Sequence, residues 1–241
     1  AFLFYSTSGE WTLLDSLNCT GWLNLAAGTL NTNDKTINAE ALYSGGSLTR
    51  TLNMGASVFN LSGTQACGGT TTGLTLNSGT SVINCTNSNS QFSAIGTFYN
   101  VNFTNTAGTA TLSRGNYHDV DFAGKGIING PANFNNVTFH GDGNVGPYST
   151  DTYRCTFNNV NFTEGHNYQL GVLTINGNLN AVGSCLKLIS IRPVGNSNNS
   201  YITFANPVHL SYVDLRSNIP IGAGPFTVDH SLPFCCNGAW T

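Results

Sequence analysis

Between residues 98 and 162 one hexapeptide pattern occurs four times: aromatic, any residue, Asn or Asp, Val, any residue, Phe. The copies are Phe98-Tyr99-Asn100-Val101-Asn102-Phe103, Tyr117-His118-Asp119-Val120-Asp121-Phe122, Phe134-Asn135-Asn136-Val137-Thr138-Phe139 and Phe157-Asn158-Asn159-Val160-Asn161-Phe162. Their valines are 19, 17 and 23 residues apart. Upstream, Leu52-Asn53-Met54-Gly55-Ala56-Ser57-Val58-Phe59-Asn60 recurs 24 residues later as Leu76-Asn77-Ser78-Gly79-Thr80-Ser81-Val82-Ile83-Asn84. The segment His209–Leu215 is a weaker echo. A unit of about 20 residues cannot fold alone; it buries its apolar face only by stacking on its neighbours.

Period-two alternation assigns the sides. Val101 and Phe103, Val120 and Phe122, Val137 and Phe139, and Val160 and Phe162 face one way, and the polar residues between them face the other. The valine–phenylalanine side is the interior, so successive coils place Val over Val and Phe over Phe. The Asn or Asp before each Val breaks this parity, which predicts a corner. Asn tolerates the left-handed conformation that corners often use. Asn100, Asn136 and Asn159 are expected to form an amide ladder there, with Asp119 as one rung. The fold class expected is all-β, a right-handed parallel β-helix of roughly ten coils. Residues 1–10 form an apolar terminal strand and residues 11–241 the solenoid.

Composition supports strands and turns. Only 8% of the 241 residues are charged, against about 25% in ordinary soluble domains; 33 Asn and 28 Gly fill the gap. These residues are poor in helix interiors and suited to turns. Eight cations and a net charge of −3 cannot neutralise a phosphate track, which argues against nucleic acid. No apolar run approaches the roughly 18 residues of a membrane-spanning helix. The chain begins Ala1-Phe2-Leu3-Phe4-Tyr5 without an initiator Met, as expected after removal of a leader or trimming. Together with the cysteine content this points to an oxidising, extracellular compartment.

Residues 52–84 and 98–162 resemble the right-handed parallel β-helix repeat proteins that bacteria secrete as surface adhesins and cell-envelope fibres. The resemblance implies an extracellular or cell-surface rod that mediates attachment or assembly, with copies of itself and surface glycans as partners and with no cofactor. The same architecture also carries pectate lyases, polygalacturonases and phage tail spikes, so fold alone does not decide activity.

A carbohydrate-active enzyme or glycan-binding module is the alternative. Its candidate groups are Asp119 and Asp121, with His118 in the same coil, and His140 and Asp142 in the next. Paired carboxylates at suitable separation, one protonated and one ionised, are what glycoside hydrolysis requires. Asp119 and Asp121, however, occupy repeat positions held elsewhere by Asn or Thr, and Arg114 and Lys125 are the only nearby cations. The expected reading is therefore non-catalytic.

The seven cysteines, Cys19, Cys67, Cys85, Cys155, Cys185, Cys235 and Cys236, are candidates for disulfides; the alternative is buried thiols acting as small hydrophobes. None is spaced for zinc, so no metal site is expected. Asn18, Asn60, Asn84, Asn102, Asn136, Asn161 and Asn198 begin glycosylation sequons. Asn102 and Asn161 share the outward repeat position, whereas Asn136 cannot be both a ladder rung and a sugar acceptor. Thr70–Thr72, Thr104 with Thr106, and Thr109 with Thr111 hold no constant repeat position, so a regular threonine face is not expected. An open solenoid exposes apolar surface and unpaired strand groups at its ends. Phe2, Leu3, Phe4 and Tyr5 are expected either to cap their own coil or to add as a strand to a neighbouring subunit.

Overall fold

The computed structural model describes residues 1–93, 95–146, 154–195, 199–232 and 240–241. Strands alternate with tight turns, and no helix occurs among the described residues. The strands wind into about eleven turns of right-handed parallel β-solenoid. Contacts group them into two compact units, Ala1–Val120 and Asp121–Thr241.

In the first unit each turn has three sides. One sheet runs through Phe2–Phe4, Trp22–Leu25, Ala41–Ser44, Gln65–Gly69 and Gln91–Ser93, all parallel. A second runs through Leu17–Asn18, Thr36–Ala39, Val58–Leu61, Val82–Cys85 and Thr97–Phe103. A third stacks Glu10–Thr12, Gly28–Asn31, Arg50–Asn53 and Leu74–Asn77. Alternation then does what the hexapeptide requires. Ile37, Phe59, Ile83 and Val101 form one interior column in register, and Ala39, Leu61, Cys85 and Phe103 another, every member nearly or wholly inaccessible.

In the second unit the long strand Lys125–Phe139 and its neighbour Cys155–Phe162 pair in register, Phe134 on Phe157, Val137 on Val160 and Phe139 on Phe162. The rings of Phe134 and Phe157 stack with centroids 4.9 Å apart, as do those of Phe122 and Phe139. All eight Val and Phe residues assigned to the interior are buried. Burying one such side chain contributes about 1.5–3 kcal/mol, so these columns hold the coils together. At the far end Trp240 lies against Phe204 and Phe226 and donates its indole N–H to the Asn218 carbonyl at 3.0 Å.

The expected corner is present but is made differently. Two non-buried residues separate Phe98 from Val101, Phe134 from Val137 and Phe157 from Val160, yet the chain stays extended through each bend. None of Asn100, Asp119, Asn136 and Asn159 has a positive φ; among the described residues the left-handed non-glycine ones are Asn33, Asp34, Tyr212, Ser217 and His230. A bend within a strand needs no left-handed residue, because the parity shift is spread over two extended positions. Left-handed geometry belongs to a different corner, where Asp34, Gly55 and Gly79 follow one another at φ 56°, 54° and 56°.

The disulfide expectation is corrected. Cys19, Cys67, Cys85, Cys155 and Cys185 are free thiols; Cys235 and Cys236 lie outside the described residues. Cys67 sits in register between Leu42 and Phe92, and Cys85 between Leu61 and Phe103, so both fill interior columns as small apolar side chains. Burial pushes both thiols far above their ordinary pKa and that of Cys155 up to about 12.

Candidate functional site

Three surface features bear on function: rows of amides, carboxylates paired with imidazoles, and an apolar edge. The amide rows arise because the outward residue of each strand meets the same residue one coil away. On the second sheet of the first unit Asn38 donates Nδ2 to Asn18 Oδ1 at 2.6 Å, Asn60 to Asn38 at 2.8 Å, Asn84 to Asn60 at 2.9 Å and Asn102 to Asn84 at 3.0 Å. On the third sheet Asn77 donates to Asn53 at 2.7 Å, and Asn53 to Asn31. The second unit repeats the device at its corner, where Asn159 donates to Asn136 at 2.8 Å.

Four sequon asparagines, Asn18, Asn60, Asn84 and Asn102, are thus rungs of one ladder. In Asn60, Asn84 and Asn102 the nitrogen that a glycan would occupy is already a donor. Asn161 donates to Thr138 Oγ1 at 3.3 Å, and Asn136 accepts from Asn159; Asn198 lies outside the described residues. Of the two residues read as outward and open to glycans, Asn102 is thus part of an amide row and Asn161 is bonded to a threonine hydroxyl. A threonine row also exists where none was expected: Thr29, Thr51 and Thr75 stand in register two residues before Asn31, Asn53 and Asn77. The signal was the tripeptide Thr-Leu-Asn, repeated at 29, 51 and 75.

The carboxylates of the enzymatic alternative are distributed among imidazoles. Asp119 lies 3.1 Å from His118, whose ring stacks on Tyr99 at 4.3 Å. In the second unit His140 Nε2 is 3.0 Å from Asp121 Oδ2, and His166 Nδ1 is 3.4 Å from Asp142 Oδ1, which also accepts the Asn167 backbone N–H at 2.9 Å. His209 and His230 both approach Asp229, at 3.6 and 3.5 Å. The Ser211 hydroxyl first, and then His230 and His209, hold the Asp229 carboxyl below its ordinary pKa. All five histidines of the chain therefore face an aspartate. Asp142 and Lys125 line a shallow concavity of about 120 Å³ with Ile127, Asn144 and Gln169. Each of Asp119, Asp121 and Asp142 meets a different imidazole; His118 is the sequence neighbour of Asp119, whereas His140 and His166 reach Asp121 and Asp142 from the following turn. Among the described residues no group of three His, Cys, Asp or Glu is placed to hold a metal ion.

Sequence reasoning missed two charged centres. Arg50 is wholly buried, donating Nε to Ser44 Oγ at 2.7 Å and its other N–H groups to the carbonyls of Ser44, Gly46, Leu48, Thr70 and Thr72. It ties two corner loops together. Asp214, 7% exposed, is held by Arg192 at 3.0 Å and Arg216 at 3.1 Å.

The apolar edge lies at the first turn. Among the described residues Phe2–Phe4 pairs only with Trp22–Leu25, Glu10–Thr12 only with Gly28–Asn31, and Leu17–Asn18 only with Thr36–Ala39. Of the residues assigned to assembly, Phe4 is buried, whereas Phe2 (45%), Leu3 (58%) and Tyr5 (64%) are exposed, as is Leu14 (79%). The terminal strand thus lies on its own coil and leaves its other edge without a partner among the described residues. No family model, no curated protein and no solved structure matches this chain, so the open edge and the amide-lined faces are what bear on its role.

Proposed function

We propose that the chain is a structural or adhesive element of an extracellular surface, a solenoid that joins end to end with further copies into a fibre. The observation that carries this reading is the open edge of the first turn. Among the described residues three parallel strands there have unpaired outer edges, beside exposed Phe2, Leu3, Tyr5 and Leu14. Such an edge is a template for further strand pairing. The Phe4 carbonyl accepts the Ala26 N–H at 2.9 Å, so alternation turns the Leu3 backbone outward. The spent carboxylates add support, since a passive building block needs none of them free. Stacking on the edge accounts for assembly without any strand leaving its own subunit.

Negative-stain microscopy and sedimentation of the purified chain test this. The wild type forms filaments, and Leu3→Pro, which removes the outward N–H, gives isolated monomers with an unchanged circular dichroism spectrum. Wild-type protein that stays monomeric at every concentration contradicts the proposal, as does Leu3→Pro protein that still polymerises.

A further inference from the structure

The outer face of the first unit's first sheet carries an aromatic pair. Trp22, 41% exposed, lies with its ring centroid 5.4 Å from that of Tyr43 on the next coil, at an interplanar angle of 36°. Asn24 shares the outward side of Trp22 and sits in register between Leu3 and Tyr43. Its Oδ1 is enclosed and accepts no hydrogen bond among the described residues. On the following rung Gly68 is in register with Tyr43 and offers no side chain, so the Tyr43 ring is bordered there by backbone and the Gln65 amide. The four strands of this face, Phe2–Phe4, Trp22–Leu25, Ala41–Ser44 and Gln65–Gly69, contain no charged residue.

An exposed ring beside a half-buried one, an amide and a shelf without charge match a ligand that has one apolar face and a rim of neutral hydroxyls. A pyranose ring is such a ligand. Its C–H groups, polarised by the ring oxygens, settle on the negative face of an aromatic ring, and its hydroxyls both donate and accept. Because the Asn24 Oδ1 is enclosed, a sugar hydroxyl meets this half-buried side chain at its Nδ2, as an acceptor. We infer that Trp22, Asn24 and Tyr43 form a binding subsite for a neutral hexopyranose or pentopyranose unit of an extracellular polysaccharide. The inference rests on the adhesive half of the reading above and is independent of end-to-end assembly.

Native electrophoresis of the full chain through gels containing hydroxyethyl cellulose, mixed-linkage β-glucan, xylan, mannan or polygalacturonate, with an empty gel as reference, tests it. The wild type is retarded in at least one neutral gel. Trp22→Ala weakens that retardation by roughly tenfold, equivalent to about 1.4 kcal/mol; Trp22→Phe restores most of it, and Tyr201→Ala, which removes an exposed ring elsewhere, leaves it unchanged. Circular dichroism confirms that each variant is folded. Absence of retardation in every neutral gel, retardation by polygalacturonate alone, or equal retardation of Trp22→Ala and wild type overturns the subsite. Sedimentation of Trp22→Ala equal to that of wild type separates loss of sugar binding from loss of assembly.

Discussion

Single residues decide where coils can close. Gly79 has φ 56°, and a Cβ added there would lie 2.3 Å from the Gly55 carbonyl oxygen of the coil beneath. Gly79→Ala therefore costs more than the left-handed penalty of about 1–2 kcal/mol, because the obstructing atom is backbone and cannot swing away; a urea melt reads the loss. Arg50→Met is expected to cost at least about 3 kcal/mol, since it strands five carbonyls, and Arg50→Lys rescues little because one ammonium cannot reach them all. The thiols divide by burial: Cys185 is exposed, whereas Cys67, Cys85 and Cys155 are inaccessible. Native protein should label at Cys185 within minutes while these three react only on unfolding; fast labelling of Cys67 contradicts its place in the column. Val101, Phe103 and their counterparts could be assigned in the sequence because alternation alone sorts them. Arg50 could not, because its acceptors come from carbonyls that no side-chain pattern reveals.

At the scale of the strand, the amide rows are the specific bonds between coils. Asn84 is an interior rung that donates to Asn60 and accepts from Asn102, so Asn84→Ala leaves two partners unsatisfied and costs about 1–3 kcal/mol. The same mutation at the end rung Asn18 costs less, and thermal melts of both variants check the order. Asn60, Asn84 and Asn102 should also be bare in an intact-mass measurement of the chain expressed through a glycosylating secretory pathway, because a glycan on Nδ2 breaks the row. Only the corner rung Asn136–Asn159 was legible, since it falls inside the hexapeptide. An Asn-x-Thr triplet reads the same whether its amide faces water or the next coil, and turns of unequal length hide the register that decides. Asp142 and His166 illustrate the point: the ion pair is local in space but lies 24 positions apart across a variable loop.

For the whole molecule, Asp229 gives stability a dependence on pH. Hydrogen bonds from Ser211 and His230 lower the Asp229 pKa, so its contribution to stability is present above the unfolded carboxyl value of about 3.9 and is lost as pH falls through the lower folded value. Asp229→Asn should lower the melting temperature at neutral pH and make progressively less difference below about pH 4; a deficit that persists undiminished in acid contradicts this assignment. Parallel stacking is the premise on which the amide rows, the open edge and the aromatic subsite all depend. Nuclear Overhauser contacts in deuterated, amide-protonated protein measure it most directly. Stacked coils place Ile37, Phe59, Ile83 and Val101 in one column, so amide contacts should link these residues across steps of 22, 24 and 18 positions. Close Hα–Hα contacts between strands adjacent in sequence would instead show antiparallel hairpins and contradict the account.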